Sequence, residues 1–378
     1  MIVVLLFVLG FALSVALGAV VRRVAPRLGG VAPARADRWH REPTPTFGGV
    51  AITASTLSVA AVALVTWGSP ATWGNAWVVL GAAAILFGVG FADDRLRLTA
   101  LTKLLASLTV GSFLLFGLAT INQVPVTWWA TVLVVIGYAG VVHAFNLLDN
   151  MDGLAGIVAL IAAFALAVVF GTALGPMLVL VLVAFAGSVI GFLVWNVRPA
   201  RLFMGDCGSL FLGATIGGAG LAVLLRPGGS FAIDGFALCL VLIVPLLDTS
   251  FVLVLRRLAG RPATRGGTDH LSHRLVSAGL SEQAAVATLA ALGLAGGAAA
   301  WVLFGGGWSS LPVAALFLVG VLLFGLYLAR VPAYDGEDFQ ALQKASFAPF
   351  LRDLTFRWHA LEMLLDVVLI SAVFYGSY

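Results

Sequence analysis

The longest uncharged stretch of the chain is residues 43–92, PTPTFGGVAITASTLSVAAVALVTWGSPATWGNAWVVLGAAAILFGVGFA, which has no Lys, Arg, Asp or Glu. A helix of about 20 apolar residues crosses the hydrocarbon core of a bilayer. The 50 residues of this stretch are therefore enough for two such helices. Gly, Ser, Pro, Asn and Trp gather at residues 67–75 and predict the turn between them.

Four further uncharged stretches extend this pattern along the chain. They are residues 1–21, 104–148, 153–197 and 283–329. The first is long enough for one spanning helix and each of the others for two, with turns predicted at residues 120–126, 171–176 and 305–308. Residues 207–225 and 235–255 add one helix each. We therefore expect an all-α, polytopic integral membrane protein with about 11 transmembrane helices and a C-terminal twelfth apolar segment at residues 359–378.

The composition excludes a water-soluble protein. Of the 378 residues, 61% are hydrophobic and only 10% are charged, and the mean hydropathy is +1.08. Soluble domains have about 25% charged residues, which this chain lacks. The cysteines Cys207 and Cys239 lie in or beside apolar stretches and predict no disulfide framework. We expect a membrane-embedded domain at residues 1–330, followed at 331–378 by a cytoplasmic segment and the terminal apolar helix.

The basic residues predict the orientation in the membrane. If the predicted helices alternate in direction, 20 of the 21 Lys and Arg residues fall on one side, and only Arg226 falls on the other. Loops rich in Lys and Arg stay in the cytoplasm. The crowded side is therefore expected to be cytoplasmic, with the N-terminus outside.

Ionisable residues gather at the cytoplasmic ends of the predicted helices. The carboxylates are Asp93, Asp94, Asp149, Asp152, Asp206 and Asp248. Four other ionisable residues lie at the same depth: Lys103, His270, His273 and Arg274. Charged groups at membrane depth usually mark a functional site. Clustered carboxylates favour a divalent cation, and added basic groups favour anionic oxygens, so the pattern is typical of phosphoryl transfer.

Each motif also has an ordinary structural explanation. Asp93 and Asp94 would suit a solvated loop, and residues 146–156 would suit a turn with Asx caps. Asp206 or Ser209 would suit the N-cap of a helix. Asp248 is harder to explain in this way, because it lies inside an apolar helix. We expect His143 to be a packed polar residue, and we expect His40 to lie in a loop.

Six segments, taken in order, resemble one family of membrane enzymes. They are residues 40–49 (HREPTPTFGG), 90–103 (GFADDRLRLTALTK), 143–156 (HAFNLLDNMDGLAG), 191–213 (GFLVWNVRPARLFMGDCGSLFLG), 245–249 (PLLDT) and 269–275 (DHLSHRL). The family is the polyprenyl-phosphate N-acetylhexosamine-1-phosphate transferases. It includes the bacterial UDP-GlcNAc:undecaprenyl-phosphate GlcNAc-1-phosphate transferases and phospho-MurNAc-pentapeptide transferase. The resemblance covers residues 1–330; it departs from the family at His143, where Asn is frequent, and at Asn150, where Gly is frequent.

The resemblance implies an enzyme that makes polyprenyl-diphospho-HexNAc and UMP from a UDP-N-acetylhexosamine, with UDP-GlcNAc as the expected donor, and a polyprenyl phosphate such as undecaprenyl phosphate. This is the first membrane step of cell-envelope glycan synthesis. The implied cofactor is Mg²⁺, with Mn²⁺ as a substitute. The implied location is the bacterial inner membrane, with a cytoplasmic active site. No nucleic acid partner is expected, and a homodimer is one option.

The resemblance also implies roles for individual residues. Asp248 and Asn146 would be the metal ligands, and Asp93 and Asp94 would orient or deprotonate the attacking phosphate. The catalytic residues would be Asp93, Asp94 and Asp248. The substrate-binding residues would be Lys103, Asp149, Asp152, Asn196, Asp206, His270, His273 and Arg274. Direct attack by the lipid phosphate and a route through a covalent aspartyl intermediate both stay open.

Two alternative functions remain at this stage. The first is phospho-MurNAc-pentapeptide transferase, whose His triplet is replaced here by His270, His273 and Arg274. The second is a secondary transporter, which intramembrane carboxylates would also suit. A transporter site is expected near the bilayer midplane, whereas the charged residues here gather at one interface.

Overall fold

A computed structural model describes residues 1–32, 43–258, 260, 267 and 269–331. Fourteen α-helices make up nearly all of this part of the chain, with one short hairpin of strands β1 (Val31–Ala32) and β2 (Thr44–Pro45). The helices in the first half are α1 (Ile2–Val24), α2 (Gly48–Trp67), α3 (Pro70–Leu96), α4 (Ala100–Asn122), α5 (Trp128–Leu148), α6 (Leu154–Val169) and α7 (Gly171–Leu174). Those in the second half are α8 (Pro176–Asn196), α9 (Gly205–Leu224), α10 (Phe231–Val241), α11 (Ile243–Leu258), α12 (Leu271–Ser277), α13 (Glu282–Gly306) and α14 (Leu311–Ala329).

The predicted all-α membrane architecture is confirmed. Within the described residues, eight helical segments are long and apolar enough to cross a membrane, or nine if the bent pair α10–α11 forms one span. One of the eight, Glu282–Ala329, contains both α13 and α14, and α6 is a shorter apolar helix. The predicted number of about 11 helices therefore stays a prediction. The expected twelfth segment, 359–378, lies outside the described residues, as does His40.

The four predicted turns lie between helices, as expected. The turn at 67–75 contains the break between α2 and α3, and the turn at 120–126 contains the break between α4 and α5. The turn at 171–176 separates α6 from α8, and the turn at 305–308 separates α13 from α14. Uncharged length and turn residues were therefore sufficient to locate these breaks.

Residues 235–255, predicted to hold one helix, contain parts of two helices, α10 and α11. α10 and α11 meet at an angle of 79°. Pro245 lies in the first turn of α11. Proline has no N–H to continue a helix from the preceding turn, and its ring clashes with the carbonyl four residues earlier, so it favours a break just before it. The bend places Asp248 in the second half of the bent pair.

The most buried of the candidate spanning helices is α9, and neighbouring helices meet at its first turn. The apolar window of α9 is 94% buried. Two glycines let neighbouring helices approach it: a Cβ on Gly49 of α2 would collide with the Gly208 backbone, and a Cβ on Gly90 of α3 would collide with Asp206. Close backbone approach of this kind is typical of membrane helix packing. It brings the ends of α2 and α3 onto the residues that begin α9.

Candidate active site

One lysine joins two of the predicted site carboxylates. Lys103, in the first turn of α4, lies with its Nζ 2.7 Å from Oδ2 of Asp93 and 2.6 Å from Oδ2 of Asp206. The three side chains are 17%, 10% and 30% exposed, respectively, so water reaches them. Asp93 ends α3 and Asp206 begins α9. A single ammonium therefore neutralises part of a carboxylate pair contributed by two separate helices.

Asp94 has a different environment from Asp93. Its carboxylate accepts hydrogen bonds from the backbone N–H groups of Asp206, at 2.8 Å, and Cys207, at 3.0 Å. The first N–H groups of a helix have no partner within the helix, so Asp94 caps α9 from a neighbouring helix. Gly205 makes the turn into α9 at φ 76°. Asp94 therefore fixes the position of Asp206 relative to the end of α3.

Asn146, the predicted metal ligand of α5, also reaches the first turn of α9. Its Nδ2 donates a hydrogen bond of 2.8 Å to Oγ of Ser209. One turn earlier on α5, Nε2 of His143 lies 3.1 Å from Oγ of Ser107. His143 is thus a packed polar residue, as expected. From the sequence Ser209 is expected only as a helix N-cap; the structure places it inside α9, where it accepts the hydrogen bond of Asn146.

Asp152 and Asn196 join the two loops that follow α5 and α8. Oδ2 of Asp152 accepts a hydrogen bond of 3.0 Å from the N–H of Ala200. Asn196 accepts one of 3.0 Å from the N–H of Gly153 and donates one of 3.0 Å to the carbonyl of Leu202. The loop between α8 and α9 is therefore held against the loop between α5 and α6. Asp149 lies in this second loop, directly after α5.

Asp248 is 1% exposed and organises the start of α12. Its Oδ2 lies 2.8 Å from Nδ1 of His270, and its Oδ1 accepts a hydrogen bond of 2.8 Å from the N–H of Leu271. Each carboxylate oxygen has two lone pairs, so both keep capacity for another partner. Within the described residues, no group of three His, Cys, Asp or Glu side chains could hold a metal ion. Mg²⁺ is commonly held by one or two protein oxygens together with substrate phosphates, and Asp248 and Asn146 fit that donor chemistry.

A buried ion pair next to α12 was missed from the sequence. Nε and Nη2 of Arg256 contact the two carboxylate oxygens of Asp269 at 2.6 and 2.7 Å. Burial alone would raise the pKa of Asp269, but the hydrogen bonds and charge of Arg256 hold that pKa below its ordinary value. Arg256 lies in the last turn of α11 and Asp269 precedes α12, so the pair joins the end of α11 to the start of α12. Arg256 and Arg257 are adjacent basic residues at the end of an apolar helix, so the sequence did not indicate which of them would be buried in an ion pair.

The two other basic residues of α12 face the protein interior. Burial lowers the pKa of His273 to about 4, so this side chain is neutral at neutral pH. Nη1 of Arg274 donates hydrogen bonds to the carbonyls of Leu328, at 3.2 Å, and Val331, at 2.6 Å, at the end of α14. Arg274 is 1% exposed. The predicted contact of Arg274 with the sugar and diphosphate stays a prediction, whereas its contact with α14 is a finding.

A further hydrogen bond connects α12 to the loop after α5. Oγ of Ser272 donates to Oδ1 of Asn150 at 2.7 Å, and Nδ2 of Asn150 donates to the carbonyl of Leu147 at 2.9 Å. Ser272 is fully buried. The loop that contains Asp149 and Asp152 therefore touches both the start of α12 and the loop before α9.

The predicted residues thus form three groups on seven helices, α3, α4, α5, α8, α9, α11 and α12, and on the residues that flank them. The first group is Asp93, Asp94, Lys103, Asn146 and Asp206; the second is Asp149, Asp152 and Asn196; the third is Asp248, His270, His273 and Arg274. Contacts between members include those of Lys103 with Asp93 and Asp206, of Asp94 with the N–H of Asp206, and of Asp248 with His270. The second group is held together through its two loops, by the bonds of Asp152 to Ala200 and of Asn196 to Gly153 and Leu202. The ammonium of Lys103 suits the binding of phosphate oxygens. The carboxylates and the amide oxygen of Asn146 suit the binding of a divalent cation.

Comparison with known proteins finds a glycosyl transferase family and several bacterial transferases. The model of glycosyl transferase family 4 matches residues 76–224, a range that contains the first and second groups in full. A decaprenyl-phosphate N-acetylglucosaminephosphotransferase of Mycolicibacterium smegmatis is 31% identical over 345 residues, which are 82% of this chain and 84% of that protein.

Two further relatives show the range of names. A probable undecaprenyl-phosphate N-acetylglucosaminyl 1-phosphate transferase of Bacillus subtilis is 29% identical over 90% of this chain and 95% of its own length. A phospho-N-acetylmuramoyl-pentapeptide-transferase of a Synechococcus strain is 35% identical over 63% of this chain and 73% of its own length. The matches to the two N-acetylglucosamine enzymes cover more of this chain than the match to the pentapeptide transferase does.

Proposed function

This chain belongs to glycosyl transferase family 4, and on that premise we propose that it transfers N-acetylhexosamine 1-phosphate from a UDP-sugar to a polyprenyl phosphate. The products are polyprenyl-diphospho-HexNAc and UMP. The proposed donor is UDP-GlcNAc, because the two relatives that cover most of this chain are named for N-acetylglucosamine and for a polyprenyl phosphate. The family membership removes the secondary transporter from consideration.

The observation that supports this reaction most directly is the position of Lys103. Its ammonium lies between Asp93 and Asp206 at the same ends of three apolar helices, α3, α4 and α9. A phosphate attached to a membrane lipid reaches this depth, and a soluble nucleotide sugar reaches it from the water. We place this face in the cytoplasm, because 20 of the 21 basic residues are expected there. In a bacterium, the membrane would be the inner membrane.

The lipid phosphate supplies the nucleophile in the proposed reaction. An oxygen of this phosphate forms a bond to the sugar-bearing phosphorus of the donor, and the bond from that phosphorus to the UMP oxygen breaks. A phosphate monoester loses its second proton near pH 6, so the nucleophile is already mostly dianionic at neutral pH. The protein therefore has little need to remove a proton, and its main tasks are positioning and charge neutralisation.

The described residues divide these tasks between them. Lys103 neutralises phosphate oxygens, and Asp93 orients the attacking phosphate through the ammonium that they share. Asp94 and Asn146 keep Asp206 in place at the start of α9. The residues of the second and third groups, Asp152 and His270 among them, are proposed to hold the nucleotide, the sugar and the diphosphate.

A magnesium ion is part of the proposal. Asp248 and Asn146 would hold it, since both offer the oxygen ligands that Mg²⁺ prefers, and Mn²⁺ would substitute. When bound, it would neutralise charge on the diphosphate and on the departing UMP. His270, which touches Asp248, would keep that carboxylate oriented.

The remaining alternative concerns the donor. The Synechococcus relative is named for the pentapeptide-bearing substrate. The experiment is to offer purified full-length protein a panel of UDP-sugars with undecaprenyl phosphate and to measure UMP. We expect release with UDP-GlcNAc or a close epimer, and none in the matched Asp93→Asn variant. Turnover of UDP-MurNAc-pentapeptide alone would contradict the proposed donor but leave the reaction type intact.

A further inference from the structure

A cavity of about 650 Å³ lies at the cytoplasmic end of α8, away from the helices that hold Lys103. One part of its wall is aliphatic, from Ile190, Leu193, Val194 and Val197. The other part consists of Arg198, Pro199 and Arg201. Val194 and Val197 are exposed on the outer surface of the helical bundle. The cavity is therefore apolar towards the membrane interior and basic towards the cytoplasm.

Trp195 brings a second arginine, Arg22 of α1, close to the basic part of this cavity. The guanidinium groups of Arg22 and Arg201 lie 5.4 and 5.6 Å from the centre of the Trp195 ring. Trp195 is fixed in turn, because its Nε1 donates a hydrogen bond of 3.1 Å to the carbonyl of Val15. Arg198 pairs with Glu282, but among the described residues no carboxylate pairs with Arg22 or Arg201. Two like charges therefore lie near one ring, and a bound anion would offset their charge.

We propose that this cavity, Arg22, Trp195 and Arg201 form a binding site for an anionic phospholipid of the cytoplasmic leaflet. The phosphodiester would contact the two guanidinium groups, which bind phosphate oxygens through several N–H donors at once. An acyl chain would lie against the aliphatic wall of α8. Basic pockets between membrane helices on the cytoplasmic side bind anionic headgroups in this way, and Trp is typical of the headgroup depth.

The site has a direct structural connection to the loop before α9. The N–H of Arg201 donates a hydrogen bond of 2.7 Å to the carbonyl of Trp195, and the N–H of the preceding residue, Ala200, contacts Asp152. A lipid held by Arg201 therefore steadies the loop that Asp152 and Asn196 attach to the second group. The lipid is a structural ligand and takes no part in the transfer reaction, so the site does not depend on the proposed function.

The test measures lipid retention by the purified full-length protein. The protein in detergent is mixed with phosphatidylglycerol or phosphatidylcholine, and the lipids that stay bound are counted by native mass spectrometry. We expect the protein to retain phosphatidylglycerol in preference to phosphatidylcholine. The double variant Arg22→Gln/Arg201→Gln should bind phosphatidylglycerol roughly tenfold or more weakly, since it loses two basic contacts.

The control is the double variant Arg23→Gln/Arg27→Gln, which removes the same charge from exposed positions on the same side. It should retain phosphatidylglycerol like the unmodified protein. A third variant, Arg22→Lys/Arg201→Lys, restores charge and should recover part of the binding, which separates loss of the site from misfolding. Equal losses in the two Gln variants, no preference between the two lipids, or displacement of phosphatidylglycerol by stoichiometric undecaprenyl phosphate would each overturn the proposal.

Discussion

Replacing Lys103 with Met should lower both the folding free energy and the activity, although the lysine side chain is partly exposed. Met keeps much of the aliphatic stem but removes the ammonium that contacts Asp93 and Asp206 at 2.7 and 2.6 Å. Because both carboxylate oxygens touch one nitrogen, they lie within about 5 Å of each other. At an effective dielectric constant of about 20, two such charges repel by roughly 3 kcal/mol. Water reaches all three side chains, so the expected loss of folding free energy is about 1–3 kcal/mol.

The loss of activity should exceed this loss of stability. Removing one positive group that stabilises developing charge on phosphate typically lowers kcat by about 10²–10³-fold. The assay is UMP release at saturating Mg²⁺ and undecaprenyl phosphate, normalised to the amount of monodisperse protein, alongside the melting temperature of each variant. Lys103→Arg keeps the charge and should retain more activity than Lys103→Met.

A matched control exists on the other face of the membrane. Arg226 forms a two-contact ion pair with the buried carboxylate of Asp234, at 2.8 and 3.0 Å. Arg226→Met should therefore lower the melting temperature at least as much as Lys103→Met, but leave the activity per folded molecule unchanged. Full activity of Lys103→Met, or equal losses of activity in the two variants, would refute the assignment of Lys103 to the phosphate site.

Three further predictions follow from the second and third groups. Asp248→Asn should abolish turnover and remove the response to added Mg²⁺ at any pH, measured by titrating the metal; normal activity would mean that the metal ligands are misassigned. Ser272→Ala should cost about 1 kcal/mol, and Asn150→Ala should cost more, because it also loses the hydrogen bond to the carbonyl of Leu147. The double variant should cost little more than Asn150→Ala alone, since the two changes share one hydrogen bond, and additive losses in melting experiments would contradict this. His273 has a pKa of about 4 in the folded protein, below the ordinary value of 6.5, so the unfolded chain binds more protons between these values and stability falls as the pH drops from 6.5 to 4. His273→Gln should reduce that fall, and an unchanged pH dependence of the melting temperature would count against a buried neutral histidine.

The sequence predicted the membrane architecture because uncharged length is a local property. The breaks at 67–75 and 171–176 follow from Gly and Pro, which act on their own backbone. The bend at Pro245 was available to the same reasoning and was missed, since the apolar character of α10 and α11 is continuous across it. Hydropathy alone does not distinguish a straight span from a bent one.

The sequence predicted that the ionisable residues of the site gather at helix ends, but it did not predict their contacts. Asp93 and Asp94 are adjacent and chemically identical, yet one shares an ammonium and the other caps α9. Which of the two faces α9 depends on how α3 rotates against that helix. The pairing of Arg256 with Asp269 was invisible for a similar reason, since it is set by how the chain returns from α11 to α12.

The most direct test of the central claim follows the phosphate that carries the sugar. Purified protein is incubated with undecaprenyl phosphate and UDP-GlcNAc that bears a radioactive label in its β-phosphate, and the lipid and aqueous products are separated. Transfer of N-acetylhexosamine 1-phosphate predicts that the label enters the lipid in amounts equal to the UMP released, and that Asp93→Asn gives neither product. Label that stays in the water as UDP, with unlabelled phosphate in the glycolipid, would show transfer of the sugar alone and contradict the proposed reaction.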